Sequence, residues 1–318
     1  MKLGFVYAGQ GSQKVGMGKD FYDSYELFRS TVDNAQSAIK DVTDCNIKEL
    51  CFEGPEEKLS ETRYTQPAMV SFAVGVTKLL KNRNITPDYV CGLSLGEYSA
   101  LYAAGVLDEK TVLNTVAKRG KFMSEAVGTS EVKMSAVLGT ERETVIDCCK
   151  KATEAFNGQK IVEAANFNCP GQIVISGDAE AVDKASELLT EAGTRRIIAL
   201  KVSGPFHTKL MKPAGDRLRA ELDKVSFSEA RSRVIFNCIG REMEPCENIE
   251  DLLEKQVQSS VYLEDSIRYM AEAGVDTIIE IGPGNAISKF VKKTAPDIKV
   301  MTIDTAEDFE AAVQELTA

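Results

Sequence analysis

Histidine is the scarcest catalytic residue in this chain of 318 residues: His207 stands alone. The eight cysteines (Cys45, Cys51, Cys91, Cys148, Cys149, Cys169, Cys238 and Cys246) include no C-x-x-C pair. With one histidine and no such pair, the chain completes no common zinc motif, and the cysteines read as reduced thiols, mostly buried. Basic charge is also short. There are 38 Lys and Arg against 48 Asp and Glu, a net charge of -10 and a sequence pI near 5.0. That balance argues against nucleic-acid binding, and an acidic partner requires a local basic patch. Long apolar runs are missing too: the run from Leu3 to Ala8 is too short for a signal-peptide core, and no stretch approaches a membrane span. A cytoplasmic protein without a membrane segment is expected. The remaining composition, 43% hydrophobic and 27% charged, suits one large core with a smaller unit attached.

The chain is organised around Cys91 to Gly105. Tyr89-Val90-Cys91 reads as a short strand, and Glu97 to Ala104 has helical spacing. Between them Gly92, Ser94 and Gly96 fit G-x-S-x-G, the nucleophile elbow, in which glycines let a strand and a helix close on a strained, exposed serine. A helix starting just after Ser94 aims unpaired N–H groups at any oxyanion formed there. A serine nucleophile needs a base, and the chain offers His207 alone. The other possibility is that both residues are scaffold.

Leu3 to Tyr7 is a buried-type strand leading into Ala8-Gly9-Gln10-Gly11-Ser12-Gln13. The dinucleotide pattern fails there, since Lys14 takes the third glycine position, and Gly16-Met17 breaks the Walker pattern. Such a loop can instead lend an amide to an oxyanion hole. Helices are expected over Asp20–Ile39 and Ala68–Leu80, the latter with Pro67 at its start, and after Asp108 as N-cap through Ala126, where Arg119 precedes Gly120. Gly128-Thr129-Ser130 reads as a linker. Beyond it, Met134–Leu138, Thr140–Phe156, Ile161–Phe167, Gln172–Ser176, Ala179–Ala192 and Arg196–Val202 follow the order βαββαβ of a ferredoxin-like unit, with Asn168 to Gly171 as its central turn. After Ser203-Gly204-Pro205-Phe206-His207 come a strand at Arg233–Cys238, helices at Ile249–Gln258 and Ser260–Ala273, and strands at Thr277–Ile281 and Lys299–Ile303. The alternation predicts an α/β fold with a mostly parallel sheet covered on both faces.

Seven blocks, in order, resemble the malonyl-CoA:acyl carrier protein transacylases, the acyltransferases of fatty-acid synthesis. They are Gly9 to Gln13, Thr65 to Ala68, Gly92 to Ala100, Arg119 to Met123, Asn166 to Gln172, Gly204 to His207 and Glu280 to Gly284. The resemblance implies a hydrolase-like sheet domain (1–127 and 203–318) with an inserted ferredoxin-like βαββαβ subdomain (128–202). It implies Ser94 as nucleophile, His207 as base and then acid, and the backbone N–H groups of Gln10 and Leu95 as oxyanion hole. Arg119 would hold the malonyl carboxylate, because a guanidinium offers a two-pronged donor. Gln256 would orient the histidine through its carbonyl, while Gln66, Asn166, Phe206 and Met123 would line the pocket. Leu93 departs from the pattern, since many members carry histidine there. No metal or other cofactor is implied.

The implied reaction moves malonyl from malonyl-CoA to the phosphopantetheine thiol of acyl carrier protein through a malonyl-serine ester, and the enzyme is expected to be a monomer. Lys118, Lys121, Lys209, Lys212, Lys289, Lys292 and Lys293 are candidates for docking an acidic carrier. Rival readings are a serine thioesterase or hydrolase, a trans-acting acyltransferase of polyketide synthesis, and a catalytically silent assembly subunit.

Overall fold

The computed structural model describes residues 1–127, 131–201 and 204–318. The expected linker Gly128-Thr129-Ser130, the end of the expected strand at Val202, and Ser203 lie outside the described residues. Eleven strands occur among the described residues: β1 (Leu3–Tyr7), β2 (Tyr89–Gly92), β3 (Val132–Leu138), β4 (Val162–Cys169), β5 (Gln172–Asp178) and β6 (Arg196–Ala199) come first. They are followed by β7 (Arg233–Phe236), β8 (Arg241–Glu242), β9 (Val261–Tyr262), β10 (Thr277–Ile281) and β11 (Lys299–Ile303).

The larger sheet has the order β11-β10-β1-β2-β7-β8, parallel except for β8 at its edge. Its strands alternate between two apolar layers. Phe5 and Tyr7 belong to the larger core and Val6 to the core on the opposite face, so both faces are covered. The smaller sheet has the order β6-β3-β5-β4-β9, with its own core against the helices Arg142–Ala155 and Ala179–Glu191.

Three expected elements take a different form. The helix expected over Asp20–Ile39 is two helices, Lys19–Ser24 and Glu26–Ile39, broken at Tyr25, which is extended at φ -127°. The break lets the Tyr25 hydroxyl donate to Glu310 at 2.7 Å and its ring meet Phe309 edge-on. The helix expected over Ala68–Leu80 runs from Thr62 to Asn82, which puts Pro67 inside it. One backbone bond is lost there. Nearly every residue of this helix is buried, and that packing outweighs the loss. The helix expected over Ser260–Ala273 begins only at Leu263, because Val261 and Tyr262 form β9 and pair with Asn166 and Phe167 of β4. The Tyr262 ring stacks on Phe167 with centroids 5.2 Å apart. This pairing joins the later part of the chain to the smaller sheet beside the cleft described next.

Candidate active site

β2 ends at Gly92, and the helix Gly96–Ala103 starts four residues later. The turn is tight enough to require glycine at both ends. A Cβ on Gly92 would lie 2.1 Å from the Gly96 carbonyl carbon, and one on Gly96 would lie 2.2 Å from the Tyr7 carbonyl oxygen. At the corner Ser94 has φ 52°, a left-handed conformation uncommon for a residue with a side chain. His207, the other half of the site, is also left-handed at φ 62°. Strain of this kind persists only where surrounding contacts hold it.

The two side chains meet. The Ser94 hydroxyl lies 2.7 Å from His207 Nε2, and His207 Nδ1 lies 2.8 Å from the Gln256 carbonyl oxygen. A carbonyl only accepts, so Nδ1 carries the ring proton and leaves Nε2 free to take the one on Ser94 Oγ. Burial, and then the positive charge of Arg119, push the His207 pKa down from 6.5 to about 4. The imidazole is therefore neutral near pH 7, the state a base requires. For kcat/KM, which reports the free enzyme, this predicts an acid limb near pH 4 with little loss above about pH 5. The sign follows from depression of the pKa: the base form survives to lower pH. A pH–rate profile with its acid limb at 6.5 or above contradicts this assignment.

Arg119 lies beneath the serine on the helix Glu109–Ala126 and is almost wholly buried. Nη1 donates to Gln66 Oε1 at 2.9 Å, and Nη2 donates to Gln256 Oε1 at 3.0 Å and to Ser94 Oγ at 3.2 Å. Nε has no hydrogen-bond partner, and no carboxylate is ion-paired with Arg119 among the described residues. Burial lowers its pKa, opposed by Tyr98 and Glu97. Gln256 ties the site together. Its backbone carbonyl accepts a hydrogen bond from His207 Nδ1–H, its Oε1 accepts from Arg119, and its Nε2 donates to the Ser94 carbonyl at 2.8 Å.

These groups open into a cleft of about 900 Å³ between the two sheets. Gln10, Gln66, Ser94, Leu95, Arg119, Met123, Asn166, Phe206 and His207 all line it, whereas Gln256 stands behind them. Gln66 also donates from Nε2 to Met123 Sδ at 3.3 Å. The backbone N–H groups of Gln10 and Leu95 have no acceptor among the described residues. Leu93 borders the cleft with its side chain against Gly9.

Two more buried residues reach the elbow: Glu97 and Asn237. Glu97 can be noticed in the sequence as the one charge between Asp88 and Asp108. Asn237 belongs to no motif. Of the candidate docking lysines, Lys118, Lys209 and Lys212 face Glu221, Glu163 and Asp216. Lys121, Lys289, Lys292 and Lys293 have no ion pair among the described residues.

The family model described as acyl transferase domain matches residues 4–311. The malonyl CoA-acyl carrier protein transacylase of Bacillus subtilis is 42% identical over 99% of this chain and 97% of that protein. The chain belongs to the malonyl-CoA:acyl carrier protein transacylase family. Among solved structures, the transacylase from Streptococcus pneumoniae matches with a TM-score of 0.92 and 43% identity, covering 99% of this chain and all of the other. Another transacylase of this kind, solved in complex with its type II polyketide acyl-carrier protein, matches with a TM-score of 0.93 and 32% identity over 99% of this chain and 100% of that one. As a transacylase-family member the chain is an acyltransferase. No helix among the described residues is long and apolar enough to cross a membrane.

Proposed function

We propose that this chain transfers malonyl from malonyl-CoA to the phosphopantetheine thiol of an acyl carrier protein in fatty-acid synthesis, through an ester on Ser94. The observation that carries this reading is Arg119: a buried guanidinium 3.2 Å from Ser94 Oγ, held by neutral amides and with no carboxylate ion-paired to it among the described residues. A free carboxylate on the acyl group completes it, whereas a neutral acyl chain leaves it unpaired.

In the first half-reaction His207 Nε2 takes the Ser94 proton as Oγ attacks the thioester carbonyl. The oxyanion is met by the N–H groups of Gln10 and Leu95, both on the cleft wall and both without an acceptor among the described residues. Collapse breaks the C–S bond, and the imidazolium returns its proton to the coenzyme A sulfur. The carrier thiol then gives its proton to His207 and attacks the serine ester by the same route. The chemistry needs proton transfer and oxyanion stabilisation alone, so no cofactor is assigned. Gln66, Met123, Asn166 and Phe206 shape the acyl pocket.

We read residues 1–127 and 203–318 as a hydrolase-like domain and 128–202 as a ferredoxin-like insert. The β6-β3-β5-β4 order, fourth-first-third-second along the insert, supports this, as does the separate core. We further read the enzyme as a cytoplasmic monomer. Eight free thiols, seven of them buried, suit a reducing compartment, and large exposed apolar side chains are scattered. A type II polyketide carrier is the second reading, favoured by the 32% identical relative solved with one.

The helix Ala286–Thr294 supports docking of an acidic carrier. It carries Lys289, Lys292 and Lys293, and Lys293 is close enough to influence Cys169, next to Asn168 on the cleft wall. Reversing these three charges together is expected to lower kcat/KM for holo carrier by about tenfold or more at low salt, with malonyl-CoA acylation unchanged. Unchanged carrier kinetics would remove this helix from the docking surface. The proposed reaction itself is tested by coenzyme A release. One equivalent should appear in a burst without carrier, and continuous release should follow only when holo carrier is added. Equal turnover with and without carrier identifies a hydrolase instead.

A further inference from the structure

Asn237 stands one residue beyond β7, where the pairing of β7 with β2 has ended. Its side chain carries the ladder onward. Oδ1 accepts from the Ser94 N–H at 2.7 Å, and Nδ2 donates to the Gly92 carbonyl at 2.7 Å. A carboxamide presents one acceptor and one donor in a plane, as a peptide group does, so Asn237 grips the backbone on both sides of Leu93. Its own backbone is held in turn: the N–H donates to Glu97 Oε2 at 2.5 Å, and the carbonyl accepts from Tyr262 N–H at 2.8 Å. Glu97 lies in the first turn of the helix that leaves the elbow, so the contacts close a ring through Gly92, Ser94, Glu97 and Asn237. Glu97 and Asn237 are buried in this ring and almost fully bonded, although Glu97 Oε1 has no partner among the described residues.

We propose that Asn237 and Glu97 are positioning residues for the nucleophile. They hold Ser94 in its left-handed conformation, which sets Oγ against His207 and turns the next peptide so that the Leu95 N–H faces the oxyanion. This rests on the reading of Ser94 as nucleophile. A plain packing role is satisfied by any side chain of similar size. The positioning role requires an acceptor facing Ser94 N–H, a donor facing the Gly92 carbonyl, and an acceptor on residue 97 for the Asn237 N–H.

The test is single-turnover acylation by malonyl-CoA, read as intact mass, beside sulfonylation by phenylmethylsulfonyl fluoride, a probe that needs Ser94 but not Arg119. Asn237→Leu should slow both by about a hundredfold, the cost expected of misplacing a reacting atom by about 1 Å. Asn237→Asp keeps an acceptor for Ser94 N–H and loses the donor to Gly92, so it should fall between Asn237→Leu and wild type. Glu97→Gln keeps an oxygen for the Asn237 N–H and should stay near the wild-type rate, whereas Glu97→Leu should not. The half-saturating malonyl-CoA concentration should barely move, because the contacts of Arg119 with Gln66 and Gln256 are untouched. Wild-type rates in Asn237→Leu overturn the proposal, as does a loss confined to the half-saturating concentration or a Glu97→Gln as slow as Glu97→Leu. Should Asn237→Leu not fold, a wild-type rate in Asn237→Asp overturns it equally. Ser94→Ala separates the two readings. If it still takes up malonyl, the nucleophile is misassigned, whereas an inert Ser94→Ala beside unimpaired Asn237 variants defeats the positioning role alone.

Discussion

Arg119→Ala is expected to lower kcat/KM for malonyl-CoA by roughly 30-fold to several thousand-fold, the rate equivalent of about 2–5 kcal/mol for truncating one partner of a buried charge pair. Acetyl-CoA should behave differently. An acetyl group brings no carboxylate, so the guanidinium gives it no specific contact, and the preference between the two donors should narrow or invert. The prediction comes from placement: Arg119 is buried, with both Nη atoms spread across Gln66, Gln256 and Ser94 and no carboxylate ion-paired with it among the described residues. Arg119→Lys should be intermediate, because one ammonium cannot serve two amides and a carboxylate in a plane. Measuring both donors on each variant decides it. A proportional fall for malonyl and acetyl would mean that Arg119 supports the fold or the serine rather than recognising the carboxylate.

Ser94→Ala should reduce transfer by on the order of a hundred-thousandfold or more, and His207→Ala by a similar factor. The two act as one unit across a 2.7 Å contact, so the double variant should be scarcely slower than either single one. Steady-state rates of the three variants check this. Losses that multiply would show independent roles and break the assignment of His207 as the base for Ser94. The histidine also bears on stability. Its folded pKa is depressed from 6.5 to about 4, so the unfolded chain binds the proton first, and His207 opposes folding progressively as pH falls between those values.

The sequence is most legible where backbone geometry forces residue type. The β2 elbow can be read from Gly92, Ser94 and Gly96 because two Cβ atoms would collide there. His207 follows by elimination once Ser94 is a nucleophile. β10 and β11 fall where their apolar runs place them. Break points set by distant contacts are less legible. Tyr25 interrupts a helical pattern because Phe309 and Glu310 wait at the other end of the chain. Val261 and Tyr262 leave a helical pattern because β4 offers an open edge and Phe167 a ring to stack on. The helix Lys212–Leu222 is nearly half charged and buries only Ala214, Gly215, Leu218 and Leu222, too faint a stripe to read. The helix Ala306–Thr317, which is not among the elements expected from the sequence, opens on a capping box of Thr305 and Asp308. Asn237 has no local signal at all, since its function depends on an elbow 143 residues away.

The most direct test of the account is to expose the protein briefly to malonyl-CoA or acetyl-CoA, quench, and locate the acyl group by peptide mass mapping. The account predicts a malonyl ester on the peptide containing Ser94 that forms far faster than the acetyl ester and disappears in Ser94→Ala. A malonyl group on any other residue, or equal labelling by the two donors, would contradict it.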